Sequence, residues 1–175
     1  MALSDFEYMN QALRLALRGR GRTSPNPIVG AIVVSDGVVV GSGYHQEAGA
    51  PHAEVHALSA AGPAAKGATL FCTLEPCCHT GRTGPCVEQI VESGIRRVVV
   101  AVEDPNPLVA RGGISFLRDQ GVQVEVGLCG REAFQVNRDF FTFIRYNRPF
   151  VTMKIALSKD RCTTSKEGSR AIITS

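Results

Sequence analysis

The sequence contains 175 residues, of which 44% are hydrophobic and 20% are charged, which is enough for one domain with a substantial core. No apolar run approaches the ~20 residues that a membrane span requires, and the N-terminus lacks the profile of a secretion signal. The net charge is +3, and arginine outnumbers lysine, which favours anionic partners without naming one. These properties predict a cytoplasmic globular protein and argue against a membrane protein.

The chain opens with a predicted helix over residues 4–18. Ser4 and Glu7 have the spacing of a capping box at its start, and apolar residues recur at helical spacing after them. A loop with the motif SPNP follows. Its two prolines restrict the backbone, so we expect a rigid loop that presents Asn26 at the entrance of the next strand.

The rest of the chain predicts an α/β protein. Residues 28–34 and 38–44 flank an Asp-Gly pair and are typical of a β-hairpin. Strands and helices then alternate, which indicates parallel strands covered by helices. The expected elements are a helix at 52–61, a strand at 68–74, a helix at 85–93, a strand at 96–102, a helix at 113–120, a strand at 122–126, a helix at 130–146 and an extended segment at 149–157. We therefore predict a three-layer α/β/α fold whose mixed sheet begins with an antiparallel hairpin.

The stretch FCTLEPCCHTGRTGPC places Cys77, Cys78 and Cys86 close together in the sequence. Thiols stay reduced in the cytoplasm, so such a cluster predicts a metal site or a catalytic site more strongly than a disulfide. The other three cysteines are expected to be packing residues: Cys72, Cys129 and Cys162.

A second informative stretch, PHAEVHAL, contains His52, Glu54 and His56. Two histidines four residues apart suggest a zincin helix, but that motif requires Glu directly after the first His, and Ala53 stands there. The zincin interpretation therefore fails, and His56 is expected to have a structural role.

The alternative combines His-x-Glu with the two Pro-Cys pairs, an arrangement typical of zinc deaminases. His52, Cys77 and Cys86 would bind zinc and leave its fourth position open for water, as in catalytic sites. Glu54 would then move protons between that water, the substrate ring and the leaving ammonia. A structural site built from Cys77, Cys78, Cys86 and His79 is the competing hypothesis, and it leaves the His-x-Glu motif unexplained.

Several motifs together resemble the deaminase domain of the bifunctional riboflavin-biosynthesis deaminase–reductases: SPNPIVGAIVV, PHAEVHAL, TLEPCCHTGRTGPC, AVEDPNPLVARGG and PFVTMKIALSKD. The resemblance covers about residues 5–160. Eight residues separate Cys77 from Cys86, whereas cytidine and tRNA adenosine deaminases typically have about two there. The longer loop is the feature that resembles the riboflavin family.

The resemblance implies a cytidine deaminase-like fold, Zn²⁺ at His52, Cys77 and Cys86, and a proton-transfer role for Glu54. The implied reaction is hydrolytic deamination of 2,5-diamino-6-(5-phosphoribosylamino)pyrimidin-4(3H)-one, in which oxygen replaces the ring 2-amino group. The implied substrate contacts are Asn26, His45, His79, Arg82 and Asn106, with Lys154 as a further candidate. Arg82 stands where many relatives carry lysine, and either side chain can bind the substrate's phosphate.

The resemblance also implies the domain organisation. Residues 1–148 would form the deaminase domain, and residues 149–175 a linker and the truncated start of a reductase-like domain. The reductase half of the family would begin near Pro149 and fill a whole domain, but this sequence stops at Ser175. We therefore expect the reductase domain to be missing from this chain. The sequence is also compatible with assembly into a homo-oligomer.

Two alternative functions are a deaminase of nucleobases or tRNA and a non-catalytic zinc module. An RNA-acting enzyme would be expected to have the short Pro-Cys-x-x-Cys loop and aromatic stacking residues, but the sequence has no Trp and only three Tyr. A non-catalytic module would give Glu54 no role. The pattern therefore favours a small phosphorylated pyrimidine as substrate and disfavours nucleic acid.

Overall fold

The computed structural model describes residues 3–78, 84–106 and 112–163. Its helices are α1 (Asp5–Ala16), α2 (Ala53–Ala61), α3 (Cys86–Glu92), α4 (Gly112–Asp119), α5 (Gly130–Val136) and α6 (Arg138–Tyr146). Its strands are β1 (Gly30–Ser35), β2 (Val38–Tyr44), β3 (Thr69–Cys72), β4 (Arg97–Val100) and β5 (Gln123–Val126). No helix in these ranges is long and apolar enough to cross a membrane.

The five strands form one mixed sheet in the order β2-β1-β3-β4-β5. Strand β1 pairs antiparallel with β2 and β3, whereas β3, β4 and β5 are parallel. The β1–β2 turn contains Asp36 and Gly37, both with positive φ (49° and 77°), as a two-residue hairpin turn requires. The predicted N-terminal hairpin and the parallel strands after it are confirmed.

Helices cover both faces of the sheet, so the predicted three layers are confirmed. The alternation of side chains along β1 shows the division: Val33 belongs to one buried cluster and Ile32 to the other. On the first face, α2, α3 and α4 pack through residues such as Leu58, Val87 and Leu117. On the second face, α1 and α5 pack through residues such as Met9, Leu13 and Ala133.

Two glycines in β2 bring α2 unusually close to the sheet. A Cβ at Gly43 would lie 2.5 Å from both the Ala53 carbonyl oxygen and the His56 Cβ. A Cβ at Gly41 would overlap the Ala57 carbonyl oxygen. The glycines therefore let α2, whose N-cap is His52 and whose first turn contains Glu54, pack directly against the hairpin.

The predicted capping box at the chain's start is confirmed. The Ser4 side chain accepts the Glu7 N–H, and a Glu7 carboxylate oxygen accepts the Ser4 N–H at 2.8 Å. Helix α1 ends at Ala16 and continues as a short 3-10 turn to Gly19.

The single helix predicted over residues 130–146 is wrong, because it consists of α5 and α6 separated at Asn137. Asn137 has φ −116° and ψ 20°, outside the α region. Its buried side chain pairs with the backbone of Ile28: Oδ1 accepts the Ile28 N–H, and Nδ2 donates to the Ile28 carbonyl, both at 2.8 Å. This long-range pairing interrupts the helix and anchors it to Ile28, the residue that follows the SPNP loop.

The cysteines outside the predicted site differ in burial. Cys72 and Cys129 are buried, as expected of packing residues, but Cys162 is exposed, so that prediction is wrong for Cys162. Cys162 lies in a turn whose contacts are local, such as the bond from its N–H to Ser158 Oγ.

Residues 150–157 form neither helix nor strand and are mostly exposed. The division of the chain at residue 148 stays a prediction.

Candidate active site

Four segments meet at one edge of the sheet. The pairing of Cys72 with both Ala31 and Val100 brings the start of β1 and the ends of β3 and β4 together. Tyr44, the last residue of β2, pairs with Gly30 at the same edge. Residues just before β1 and just after β2, β3 and β4 therefore converge here, which is where open α/β sheets commonly bind ligands.

Two helix N-termini enter this edge. His52 is the N-cap of α2, and Cys86 is the first residue of α3. Cys77 lies in the segment between β3 and α3, and its sulfur accepts the Cys86 N–H at 3.3 Å. The positive ends of the helices favour thiolates in this position.

The three predicted zinc ligands form a compact triangle of donor atoms. His52 Nδ1 lies 2.9 Å from Cys86 Sγ and 3.3 Å from Cys77 Sγ. The two sulfur atoms are 3.3 Å apart. This is the one group of three or more potential ligand residues that lie close enough to hold an ion within the described parts of the chain. Two thiols and an imidazole converging on one point fit zinc.

Contacts within this triangle shift the pKa values of its members. Hydrogen bonding with Cys86, followed by that with His52, lowers the pKa of Cys77 to about 4. The hydrogen bond with Cys77 and burial raise the pKa of Cys86. The contact with Cys77 raises the pKa of His52. One thiolate is therefore favoured, and a cation bound among the three residues would favour the second.

Glu54 lies in the first turn of α2 and is only 3% exposed. Burial raises the pKa of this carboxyl group to about 7. Near neutral pH the group can thus both accept and donate a proton, which is what a general acid–base residue requires. Glu54 lines the same pocket as His52 and Cys77.

A hydrogen-bonded chain connects the SPNP loop to the residue before His52. His45 Nδ1 lies 3.2 Å from the Pro51 carbonyl oxygen, and His45 Nε2 lies 3.2 Å from Asn26 Nδ2. Because a carbonyl only accepts, Nδ1 carries the hydrogen and Nε2 accepts from the Asn26 amide. Burial lowers the pKa of His45, in agreement with a neutral ring. This arrangement leaves Asn26 Oδ1 to accept a hydrogen bond from a ligand.

The pocket brings together most of the residues predicted for the site. Those that line it are Asn26, His45, His52, Glu54, Cys77 and Asn106. Lys154 is not among the lining residues and lies in the exposed segment after α6. His79 and Arg82 lie outside the described residues. The His56 side chain packs beside Gly43, and its buried Nε2 has no hydrogen-bond partner among the described residues.

Glu75, Asp104 and Phe140 are among the pocket residues that the sequence does not predict for the site. Glu75 belongs to the motif TLEPC and Asp104 to the motif DPNP, and both motifs carry the family resemblance. Glu75 stands two positions before the predicted ligand Cys77, and this proximity could have identified it as a site residue. Phe140 carries no comparable signal, because its place depends on the turn between α5 and α6.

The three-layer fold, the converging His and Cys side chains and the buried Glu define a class, the zinc-dependent deaminases. Residues 3–102 match the family described as the cytidine and deoxycytidylate deaminase zinc-binding region. The chain belongs to this family, and its cofactor is zinc.

More specific similarity is to riboflavin-biosynthesis proteins. The chain is 54% identical over 171 residues to riboflavin biosynthesis protein RibD of Aquifex aeolicus, covering 98% of this chain and 48% of that protein. Its structure resembles RibD of Acinetobacter baumannii with a TM-score of 0.91 and 46% identity, over 98% of this chain and 48% of that one. A diaminohydroxyphosphoribosylaminopyrimidine deaminase/5-amino-6-(5-phosphoribosylamino)uracil reductase from Thermotoga maritima gives a TM-score of 0.92 and 40% identity, over 97% and 49%. The chain thus spans about half the length of these relatives.

Proposed function

We propose that this chain catalyses hydrolytic deamination of 2,5-diamino-6-(5-phosphoribosylamino)pyrimidin-4(3H)-one. The observation that carries the proposal is the convergence of the donor atoms of His52, Cys77 and Cys86 at a pocket that Glu54 also lines. The chain that carries this site is 54% identical over 171 residues to a riboflavin biosynthesis protein. The Thermotoga maritima relative carries this deaminase activity in its name.

In this proposal His52, Cys77 and Cys86 hold the zinc ion. When bound, zinc supplies Lewis acidity, which makes water a usable nucleophile near neutral pH. The geometry favours this set because its three donor atoms already lie within 4.8 Å of one another. The competing site that used Cys78 is less well supported, since the Cys78 sulfur lies beside Gly112 at the start of α4.

Glu54 would carry the protons of the reaction. Water adds to the ring carbon that bears the 2-amino group, and Glu54 accepts the proton released from that water. It passes this proton to a ring nitrogen. Glu54 then takes the proton of the newly added hydroxyl and gives it to the amine, so that the C–N bond breaks, ammonia leaves and the oxygen stays on the ring as a carbonyl. Its nearly complete burial keeps bulk water away from this exchange.

Asn26 and Asn106, which line the same pocket as Glu54, would bind the substrate. Asn26 offers its Oδ1 to a hydroxyl or N–H group, and Asn106 lies on the loop after β4. We assign Arg82 and His79 to the phosphate on the resemblance alone, because both lie outside the described residues. Lys154 is the weakest assignment, because the described structure leaves it exposed and away from the pocket lining.

The test is product analysis in water labelled with heavy oxygen. The zinc-loaded protein should convert the pyrimidine phosphate to the 5-amino-uracil derivative, release one ammonia and incorporate one labelled oxygen. Mass spectrometry of the product would show the loss of the 2-amino group and the gained oxygen. Absence of turnover, or loss of a different amine, would contradict the proposed function.

A further inference from the structure

Glu75 is a buried carboxylate between β3 and Cys77 that the proposed chemistry does not use. It is 4% exposed, and its backbone N–H donates to the Val102 carbonyl at 3.0 Å. A buried carboxylate is costly unless several donors satisfy it, so its partners indicate what it stabilises.

One oxygen of Glu75 accepts hydrogen bonds from the N-terminus of α4. The N–H groups of Gly113 and Ile114 both point to Oε1, at 3.1 Å and 3.3 Å. These two N–H groups lie in the first turn of the helix, where donors have no partner within the helix itself. Glu75 therefore serves as a cap for α4, although it is 38 residues away from Gly113 in the sequence.

The other oxygen of Glu75 accepts a hydrogen bond from the loop after β4. The Asp104 N–H points to Oε2 at 3.2 Å, and the Asp104 carboxylate in turn accepts the Asn106 N–H at 2.8 Å. The backbone position of Asn106 is thus two hydrogen bonds away from Glu75. Asp104 and Asn106 both line the pocket that His52, Glu54 and Cys77 line.

Close packing joins the start of α4 to the segment that carries Cys77. A Cβ at Gly113 would overlap the Pro76 carbonyl oxygen, and a Cβ at Gly112 would lie 2.6 Å from Cys78 Sγ. The helix, the loop and the ligand segment consequently meet around a single carboxylate.

We propose that Glu75 is a positioning residue that holds the pocket wall bearing Asn106 in register with the metal-binding segment. It acts through Asp104 and Asn106 and does not touch the reacting atoms. The effect on substrate binding rests on the proposed function, whereas the effect on the loop's hydrogen bonding does not.

Glu75→Gln is the most informative variant. Glutamine keeps the size of the side chain and one acceptor oxygen, but it replaces the second oxygen with an NH₂ donor. The remaining oxygen should face the two N–H groups of α4, which leaves the Asp104 N–H opposite another donor. The substitution should therefore release the loop and keep the helix capped.

We expect three results from Glu75→Gln. Amide hydrogen exchange at Asp104 and Asn106 should accelerate about 10-fold or more, the size expected from loss of one charge-assisted hydrogen bond, while Gly113 and Ile114 stay protected. The KM for the pyrimidine phosphate should rise about 10-fold with kcat within about threefold, because the wall binds substrate and does no chemistry. Zinc content should remain one ion per chain. Glu92→Gln, at the exposed end of α3, is the matched control and should leave all three quantities unchanged.

Other outcomes would overturn the proposal. Loss of zinc together with loss of kcat would mean that Glu75 supports the ligands and not the wall. Unchanged exchange at Asp104 and Asn106 would mean that the carboxylate does not hold the loop. If the wild type fails to turn over the pyrimidine phosphate, the proposed function fails, and the exchange result still decides the role of Glu75.

Native-state hydrogen exchange of the unmodified protein gives a second test, which does not depend on the variant's folding. Because the Asp104 N–H donates to Glu75 and the Asp104 carboxylate accepts the Asn106 N–H, the amides of Asp104 and Asn106 should share one opening of the loop with the same dependence on denaturant. Exchange of Asp104 through a separate and much easier opening would contradict the proposal.

Discussion

Glu54 is the residue on which the proposed chemistry depends most. It is nearly completely buried, and its carboxyl group interacts with His52 and Cys86, although it is not one of the three ligand residues. Its raised pKa, about 7, comes from burial, and this suits a group that must both take up and release a proton.

Substitution of Glu54 should separate catalysis from metal binding. Glu54→Gln removes the proton-transfer group and leaves all three ligands, so kcat should fall by roughly 100-fold or more while zinc content and folding are retained. Steady-state kinetics and metal analysis of the same preparation would check this. Glu92→Gln again provides the control for loss of one carboxylate. Near-normal turnover in Glu54→Gln would place the proton transfer elsewhere.

Arg82 is the residue proposed to recognise the phosphate. Arg82→Ala should lower kcat/KM for the phosphorylated pyrimidine by roughly 10- to 100-fold, the loss expected from one charge-assisted contact. The dephosphorylated analogue should be nearly unaffected. Arg131→Ala, an exposed position in α5, controls for a general loss of positive charge. Equal losses on both substrates would show that Arg82 does not act through the phosphate.

At the scale of elements, the break between α5 and α6 connects the second face of the sheet to the pocket. Asn137 pairs with both backbone groups of Ile28, and Ile28 follows the loop that carries Asn26. The α5–α6 break thus helps to hold one wall of the pocket, in addition to completing the core.

Truncation of Asn137 should therefore cost more than an ordinary polar substitution. Asn137→Ala leaves two backbone groups of Ile28 buried without their partner, and each such group costs about 1–3 kcal/mol. We expect the free energy of unfolding to fall by roughly 2–4 kcal/mol in urea titrations. Asn10→Ala, whose side chain bonds only within α1 at Phe6, should change it by less than about 0.5 kcal/mol. Equal effects of the two substitutions would contradict this role for Asn137.

Most elements could be predicted from the sequence because their signals are local. The Ser4–Glu7 capping box, the Asp36-Gly37 turn and the strand alternation each depend on neighbouring residues. The helix break at Asn137 could not be predicted, because it depends on Ile28, 109 residues away. Likewise, the TLEPC motif identified Cys77, but the role of Glu75 appears only when the first turn of α4 is folded against it.

At the scale of the whole molecule, the proposed zinc site joins α2, α3 and the end of β3. A metal that binds only the folded chain stabilises it by mass action, by about 4 kcal/mol when free zinc exceeds its dissociation constant about 1,000-fold. Chelation should therefore lower the melting temperature by roughly 10 °C for a chain of this size. Differential scanning calorimetry with and without a chelator would measure it. Added zinc should restore the original value, and an unchanged melting temperature would show that no metal links these elements.

The most direct test of the proposed deaminase function is the ranking of substrates by kcat/KM in an ammonia-release assay of the zinc-loaded protein. We expect 2,5-diamino-6-(5-phosphoribosylamino)pyrimidin-4(3H)-one to rank first, ahead of its dephosphorylated analogue, cytidine, deoxycytidylate and a tRNA anticodon stem-loop. The margin over the dephosphorylated analogue should be roughly 10-fold or more, because the phosphate contributes at least one charge-assisted contact. A higher kcat/KM for cytidine, deoxycytidylate or the tRNA substrate, or no ammonia release from the pyrimidine phosphate, would contradict the proposed function.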